Sequence, residues 1–551
     1  MRRPGARALS LFVVALSPLA ACVDDQATTG QAAGTTSDVA VVIDAGADTT
    51  SAASDTGTVA DTASKSPDAV SDTSPYDISG PDAPVIVDRA PTAIAASLEG
   101  TPTNPQIAVN TAGDAVAVWV QQQSVAPAYA IYASRMTPAG WGAPVLVATS
   151  AASMPHDLAL AQNDRGDALV AWSTGGIHAS RFAADEDAWS LPFEVAPAPP
   201  APPGGYTVGP AVALDGRGAA LVMWASGTYD GHETVLAARA QRSNGAWDPA
   251  FELAREDVAL DASGDGAPFA VAANAAGNVV AAWATQLGTT RQVWVRRAVL
   301  GDDPSDPWRW QDPQIVSAAE TWNGALWTAI DAGGTAFVAW AAAKTPTRDG
   351  ETAWSVAGVH ARDGVAFGTA TAIATGIPAS FGFESLAPEL AADPSGTLLM
   401  AWREGLRPVD FANPEPSRIL AKRFHPERGW TETEVVADEL APPYFGCAMS
   451  PTTAFAVLLS GDDHAVVWQE RATDGTVGVR LRTSEAGPPW SETEVLGRSA
   501  PSWSPDLSAG LATHGGYALW TETGPDPLTN AWTTTLWAVP LTGRSGGVPR
   551  R

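Results

Sequence analysis

Asn110-Thr111-Ala112-Gly113-Asp114-Ala115-Val116-Ala117-Val118-Trp119 is the stretch on which the fold turns. A polar turn carrying a glycine runs into an unbroken apolar segment, which ends on a tryptophan six residues after that glycine. The same offset recurs at Gly166/Trp172, Gly218/Trp224, Gly277/Trp283, Gly334/Trp340 and Gly396/Trp402, and two copies without the glycine end in Trp468 and Trp520. Successive tryptophans lie 52 to 66 residues apart. A unit of that size cannot bury its own apolar face, so the chain reads as an array of about eight stacked units.

Each unit has the same internal order. A short apolar strand often opens on proline, as in Pro105-Gln106-Ile107-Ala108-Val109, Pro210-Ala211-Val212-Ala213-Leu214 and Pro388-Glu389-Leu390-Ala391-Ala392. A tight Asn, Asp or Gly turn follows, then the run into tryptophan, which has the composition of a strand buried on both faces. A third strand alternates and carries Arg135, Arg181, Arg239, Arg297 or Arg423. A fourth begins on an aromatic with an aliphatic six residues on: Trp141/Val147, Trp189/Val195, Trp247/Leu253, Trp310/Val316, Phe367/Ile373, Trp430/Val436 and Trp490/Leu496. Four short antiparallel strands in about 55 residues make one β-propeller blade. Both tryptophan positions are expected to pack between blades, and the arginines to be structural or solvated, pairing with turn carboxylates.

The ends of the chain bear on closure. The last unit has three strands and stops, whereas Ala83-Pro84-Val85-Ile86-Val87 upstream matches Ala143-Pro144-Val145-Leu146-Val147, a fourth strand. The expected fold is therefore all-β: a single propeller of about eight four-stranded blades over residues 83–545, closed by an N-terminal strand that removes two sheet edges. A seven-bladed ring with one divergent unit is the rival. Residues 546–551 read as a disordered tail.

The N-terminus reads as an address. Arg2, Arg3 and Arg7 precede an apolar stretch too short to span a membrane, and Leu19-Ala20-Ala21-Cys22 closes it. That tetrapeptide resembles the lipobox of bacterial lipoproteins. The resemblance implies a signal peptide at 1–21, diacylglycerylation and acylation of Cys22, and a lipid anchor. Val23 after the cysteine resembles the pattern for outer-membrane delivery. Residues 22–82, with eleven Asp, one Lys and no Glu, Trp or Phe after Cys22, read as a disordered, self-repelling linker.

A net charge of −28 with only three lysines argues against nucleic acid as a partner. The expected partners are the membrane, through the lipidated N-terminus, and a protein or polysaccharide ligand, with the protein itself a monomer. Connections between strands two and three, and from each blade to the next, are long and irregular, so one rim is elaborated. It carries Tyr206, Tyr229, Trp322, Trp354, Tyr444 and Trp503 as candidate ligand-binding residues.

No catalytic residue stands out. The repeats resemble those of sialidase-like, BNR-type bacterial propellers, and this implies the fold. That family's Ser/Thr-x-Asp-x-Gly-x-x-Trp box is approached only by Ser460-Gly461-Asp462-Asp463-His464, one residue too far from Trp468. Its Arg-Ile-Pro signature is approached only by Arg418-Ile419-Leu420. The seven histidines have no metal-ligand spacing, so no metal or cofactor is implied. Asp261-Ala262-Ser263-Gly264-Asp265-Gly266 suggests a calcium turn but lacks a distal Glu. The leading expectation is a non-catalytic binding or scaffolding module on the cell envelope. The alternative is a secreted glycoside hydrolase or lyase with an acidic site on the elaborated face.

Overall fold

The computed structural model describes residues 91–541, apart from 152, 200–204, 229–233, 257–268, 288–289, 300–307, 319–321, 344–351, 380–388, 405–416, 441–454, 472–476, 486, 500–506, 513–514 and 526–531. Every regular element among the described residues is a β-strand. They form eight antiparallel sheets, each taken in chain order. Blade 1 shows the pattern: Thr101–Val109 is innermost, then Ala115–Gln122 and Tyr129–Thr137, then an outer strand split into Gly140–Trp141 and Val145–Ser150. Blades 2 to 7 span 156–196, 205–256, 269–315, 322–379, 389–440 and 455–499, and blade 8 spans 507–540. Each inner strand contacts those of its two neighbours, and that of blade 8 returns to that of blade 1. The eight-bladed ring is the observed one.

The repeated glycine has a conformational cause. Gly113, Gly166, Gly218, Gly277, Gly334 and Gly396 all sit at φ between 83° and 89°, a region that a side chain disfavours. Each donates its N–H to the carbonyl of an Asn or Asp three residues back, over 2.9 to 3.1 Å. The Oδ1 of that residue accepts the N–H of the residue after the glycine, over 2.7 to 3.1 Å. This is a tight turn followed by a left-handed residue, the geometry that joins neighbouring antiparallel strands. Adjacent turns also bond to each other: Asn163 Nδ2 donates to Asp215 O at 2.9 Å and Asn274 Nδ2 to Asp331 O at 2.8 Å.

The tryptophan six residues later fills the seam. All eight, from Trp119 to Trp520, are buried, and each clusters with apolar residues of the blade before it. Trp283 of blade 4 packs with Leu221 and Met223 of blade 3, and Trp119 of blade 1 with Leu519 and Leu536 of blade 8. A large flat ring suits the wedge between diverging sheets.

The aliphatic of the fourth strand identifies the closing segment. Val147, Val195, Leu253, Val316, Ile373, Val436 and Leu496 are all buried. In blade 8 that place belongs to Ile94, also buried, whose N–H donates to Leu536 O at 3.0 Å. Thr92 and Ala93 pair with Ala538 and Trp537, as Val145 and Leu146 pair with Ala133 and Tyr132. An N-terminal strand therefore closes the ring, but the described strand is Thr92–Ala93. The sequence motif occurs twice, at Ala83-Pro84 and at Ala90-Pro91, and the second copy is the one that pairs. Ala83 to Val87 lie outside the described residues.

The third-strand arginines stitch blades together. Arg135 pairs with Asp187 of blade 2 at 2.6 Å, and Arg181 reaches Gly218 O of blade 3 at 2.5 Å. Arg239 reaches back to Val195 O of blade 2 at 3.1 Å, and Arg297 forward to Arg362 O of blade 5 at 2.6 Å. Turn carboxylates are thus only part of their partnership, as in the 3.4 Å contact of Arg181 with Asp167. Arg423 of blade 6 is buried, bonded to Glu434 in its own blade, and donates from Nε to Nδ1 of His464 in blade 7 at 2.8 Å.

Two outcomes test this frame. Ile94→Asp puts a carboxylate in a closed apolar position and is expected to lower the urea midpoint sharply, by about 3 kcal/mol or more; an unchanged midpoint would place the closing strand elsewhere. His464 is held unprotonated, at about 4, by burial first and by the Arg423 charge second, against weaker opposing contributions from Asp462 and Asp393. Its folded pKa lies below the usual 6.5, so the unfolded chain binds the extra proton between them. Stability from this group is complete above about 6.5 and is lost as pH falls towards about 4, by up to about 3 kcal/mol. Denaturation of His464→Gln across that window should show a shallower loss than the parent; identical slopes would remove His464 from the account.

Candidate functional site

The elaborated rim is the end where second strands stop and third strands start. Three of the sequence-named aromatics lie on strands that reach it. Tyr206 is opposite Gly227 in blade 3, and in blade 5 Trp322, Ala343 and Trp354 form one row across three strands. Tyr229, Tyr444 and Trp503 lie outside the described residues, as do Cys22, Cys447 and Asp261 to Gly266. The six are therefore not brought together as one described site.

Below that rim, the seam between blades 6 and 7 holds a cluster of charge found by register. Glu389 on the inner strand of blade 6 (Glu389–Ala392) is opposite Ala401, and Arg403 lies two residues beyond Ala401. Alternation places Glu389, Ala401 and Arg403 on one face. It is the face towards blade 7, because Ala391 and Ala401 cluster with Val457, Leu459 and Trp468. From the other side, Glu470 lies two residues beyond Trp468, and Arg480 is opposite Trp468. All four charged residues therefore face one seam.

Their electrostatics differ. Glu389 is half-buried, and burial pushes its carboxyl up to about 8. At neutral pH it is a protonated acid. Glu470 instead forms an ion pair with Arg480, Oε2 to Nε at 3.3 Å, with about a fifth of each side chain exposed. Arg403 is 1% exposed, and burial lowers its guanidinium to about 10 against the opposing charge of Glu470. Beneath them the indole N–H of Trp468 is buried with no partner among the described residues. In blade 1 the equivalent Trp119 donates to Gln121, two residues on, at 3.0 Å. In blade 7 that position is Glu470, which is paired with Arg480.

A neutral acid and an ion-paired carboxylate in one seam are the ingredients of proton transfer, since divergent environments separate acid from base. Among the described residues no group of three or more His, Cys, Asp or Glu is placed to hold a metal ion. The sequence signal for the cluster is small. Arg403 is the charged residue directly after a second-strand tryptophan, where other blades have Val120, Ser173, Ala225, Ala284, Ala341, Gln469 and Thr521. Glu389 occupies a position held elsewhere by Gln106, Ala159, Ala211, Ala270, Trp327, Ala456 and Ser508.

No known family matches this chain, and no curated protein matches it. Among solved structures it is similar to the polysaccharide lyase Uly1, at 10% identity over 82% of this chain and 91% of that one, with a TM-score of 0.37. It is similar to the α-L-arabinofuranosidase of Fusarium graminearum bound to arabinobiose, at 12% identity over 60% and 93%, TM-score 0.33. It is also similar to the intramolecular trans-sialidase of Ruminococcus gnavus, at 12% identity over 80% and 94%, TM-score 0.29. Likeness at this level is architectural, and nothing about substrate follows from it.

Proposed function

We propose that this chain is an envelope-anchored, carbohydrate-active propeller, whose seam between blades 6 and 7 cleaves a polysaccharide held by the elaborated rim. The observation that carries the reading is the pairing, in one seam, of a carboxyl kept protonated by burial with a carboxylate held in an ion pair. Glu389 donates a proton to the departing sugar oxygen. Glu470, kept charged and oriented by Arg403 and Arg480, takes the proton of a water whose oxygen bonds to the anomeric carbon as the glycosidic bond breaks. The rim aromatics Tyr206, Tyr229, Trp322, Trp354, Tyr444 and Trp503 supply stacking surface for flanking sugars. Cys22 carries the lipid that holds the enzyme at the outer membrane.

A panel of soluble polysaccharides, read for new reducing ends and for unsaturated uronate absorbance, tests the reaction. Glu389→Gln is expected to lower kcat by about 10²–10⁴-fold with little change in binding, because the amide keeps the shape and loses the proton. Cleavage should require protonated Glu389 and fall away as pH rises through about 8. Saturable binding without cleavage across the panel would sink the catalytic role and leave a binding or scaffolding module. For the anchor, Cys22→Ala should move the protein from the membrane to the soluble fraction; persistent membrane association would remove the lipid from the account.

A further inference from the structure

A second feature lies at the opposite rim, on the outer side of the seam between blades 3 and 4. Here a cavity of about 380 Å³ is lined by Arg242, Asp248, Phe251, Trp308 and Trp310, with Ala240 and Pro249 completing it. Small-molecule sites are clefts of about 300–1,000 Å³ with mainly apolar walls and a few placed polar groups. This one has that make-up.

The cavity departs from the repeat. At the preceding seam, Phe193 and Trp247 lie parallel, 5.1 Å apart at 7°, and the Arg239 guanidinium covers the Phe193 ring at 4.8 Å, which closes the stack. At the seam of blades 3 and 4 the equivalent rings, Phe251 and Trp310, are 5.8 Å apart and tilted by 53°, so they diverge. The wall is completed by Trp308, a tryptophan outside the two repeat positions. It arrives on the 300–308 connection, nine residues long, where blade 1 uses only Pro138 and Ala139. Trp308 is fixed, because it is buried and its indole N–H donates to Gly277 O at 3.1 Å.

The polar group is oriented and incomplete. Arg242 donates from Nε to Asp248 Oδ1 at 2.8 Å and approaches the same oxygen with Nη2 at 2.7 Å. The Asp248 backbone carbonyl accepts from Arg239 Nε at 2.8 Å, which holds the residue in place. Its other oxygen, Oδ2, has no donor among the described residues and is itself covered, while the side chain as a whole is 17% exposed. A carboxylate oxygen left without a partner is unfavourable, and a turn of the carboxyl towards the cavity lets a ligand hydroxyl relieve it.

We propose that this cavity binds a ring of a neutral saccharide, at a site separate from the blade 6–7 seam. The aromatic faces take the apolar C–H face of a sugar ring, and the Asp248 carboxylate, once turned towards the cavity, accepts a sugar hydroxyl. A carboxylated sugar is opposed by Asp248. A cation is opposed by Arg242 and by Arg296, whose guanidinium lies 5.5 Å from the centre of the Trp310 ring. One edge of the ring thus serves cleavage and the other retains the polymer.

The test titrates the full chain with cellobiose, maltose, lactose, mannobiose, xylobiose and arabinobiose, and with digalacturonate and choline, followed by tryptophan fluorescence. At least one neutral disaccharide should saturate the change, and Asp248→Asn and Trp310→Ala should each weaken it about ten-fold or more. Asp248→Asn keeps the side-chain shape, so it remains informative if Trp310→Ala fails to fold. Asp248 and Trp310 lie at the opposite rim from the seam of blades 6 and 7, so loss of affinity in their variants assigns the binding to the cavity. A blank for all six sugars, saturation by digalacturonate or choline alone, or affinity unmoved in both cavity variants would overturn the proposal.

Discussion

Burial of one tryptophan per seam is the interaction on which the ring depends. A four-stranded sheet with two apolar faces has no stable existence alone, and its second strand is closed off on both sides. The ring provides a neighbour on each side, but radiating sheets diverge, and ordinary aliphatics cannot span the gap at every depth. A buried indole removes about 150–250 Å² from water, roughly 4–6 kcal/mol at about 25 cal/mol per Å² as an upper estimate. Eight such contacts, each directed at the preceding blade, make the stability cyclic. The closing strand belongs to the same logic, because blade 8 offers an open edge and an unfilled apolar position until Ile94 arrives.

Against that apolar background the seam between blades 6 and 7 is unusual at both ends. Towards the tight-turn rim it carries Arg423, His464 and Glu434, and towards the elaborated rim Arg403, Glu470 and Arg480. Buried ions lose hydration that their partners only partly replace. The Arg423 set is satisfied locally: His464 accepts from Arg423, and Glu434 also accepts from the Trp490 indole at 3.2 Å. The upper set is less complete, with the Trp468 indole N–H left over beside Glu470. This seam keeps ionisable groups where packing alone favours leucine, and that is the ground for proposing a function there.

Much of the frame was legible because its causes are local. The glycine marks a left-handed turn residue, the tryptophan a seam, and the aliphatic a buried outer position, each at a fixed offset that survives in sequence. The closing strand was legible in kind but not in place, since Ala83-Pro84-Val85-Ile86-Val87 and Ala90-Pro91-Thr92-Ala93-Ile94 satisfy the same pattern and only pairing with Trp537 and Ala538 distinguishes them. The arginines were recognised as a set, but Arg181, Arg239 and Arg297 reach backbone carbonyls of neighbouring blades, which leave no side-chain signature. The charged seam was hidden for a related reason. Glu389 and Glu470 lie far apart in sequence, on adjacent blades, and their common facing emerges only when strand register is known.

The two rims have different freedoms, and this orders the functional proposals. Turns between first and second strands are bonded to themselves and to the turns beside them, as Asn163 to Asp215 and Asn274 to Asp331, so the inner part of that rim has little room to vary. Variation there is displaced outwards, to the connections between third and fourth strands, and it is on such a connection that Trp308 enters and the cavity opens. From the other rim, long segments leave at blades 3, 5 and 6. The same repeat that makes the scaffold rigid therefore leaves variation in length to the connections outside the turn ladder.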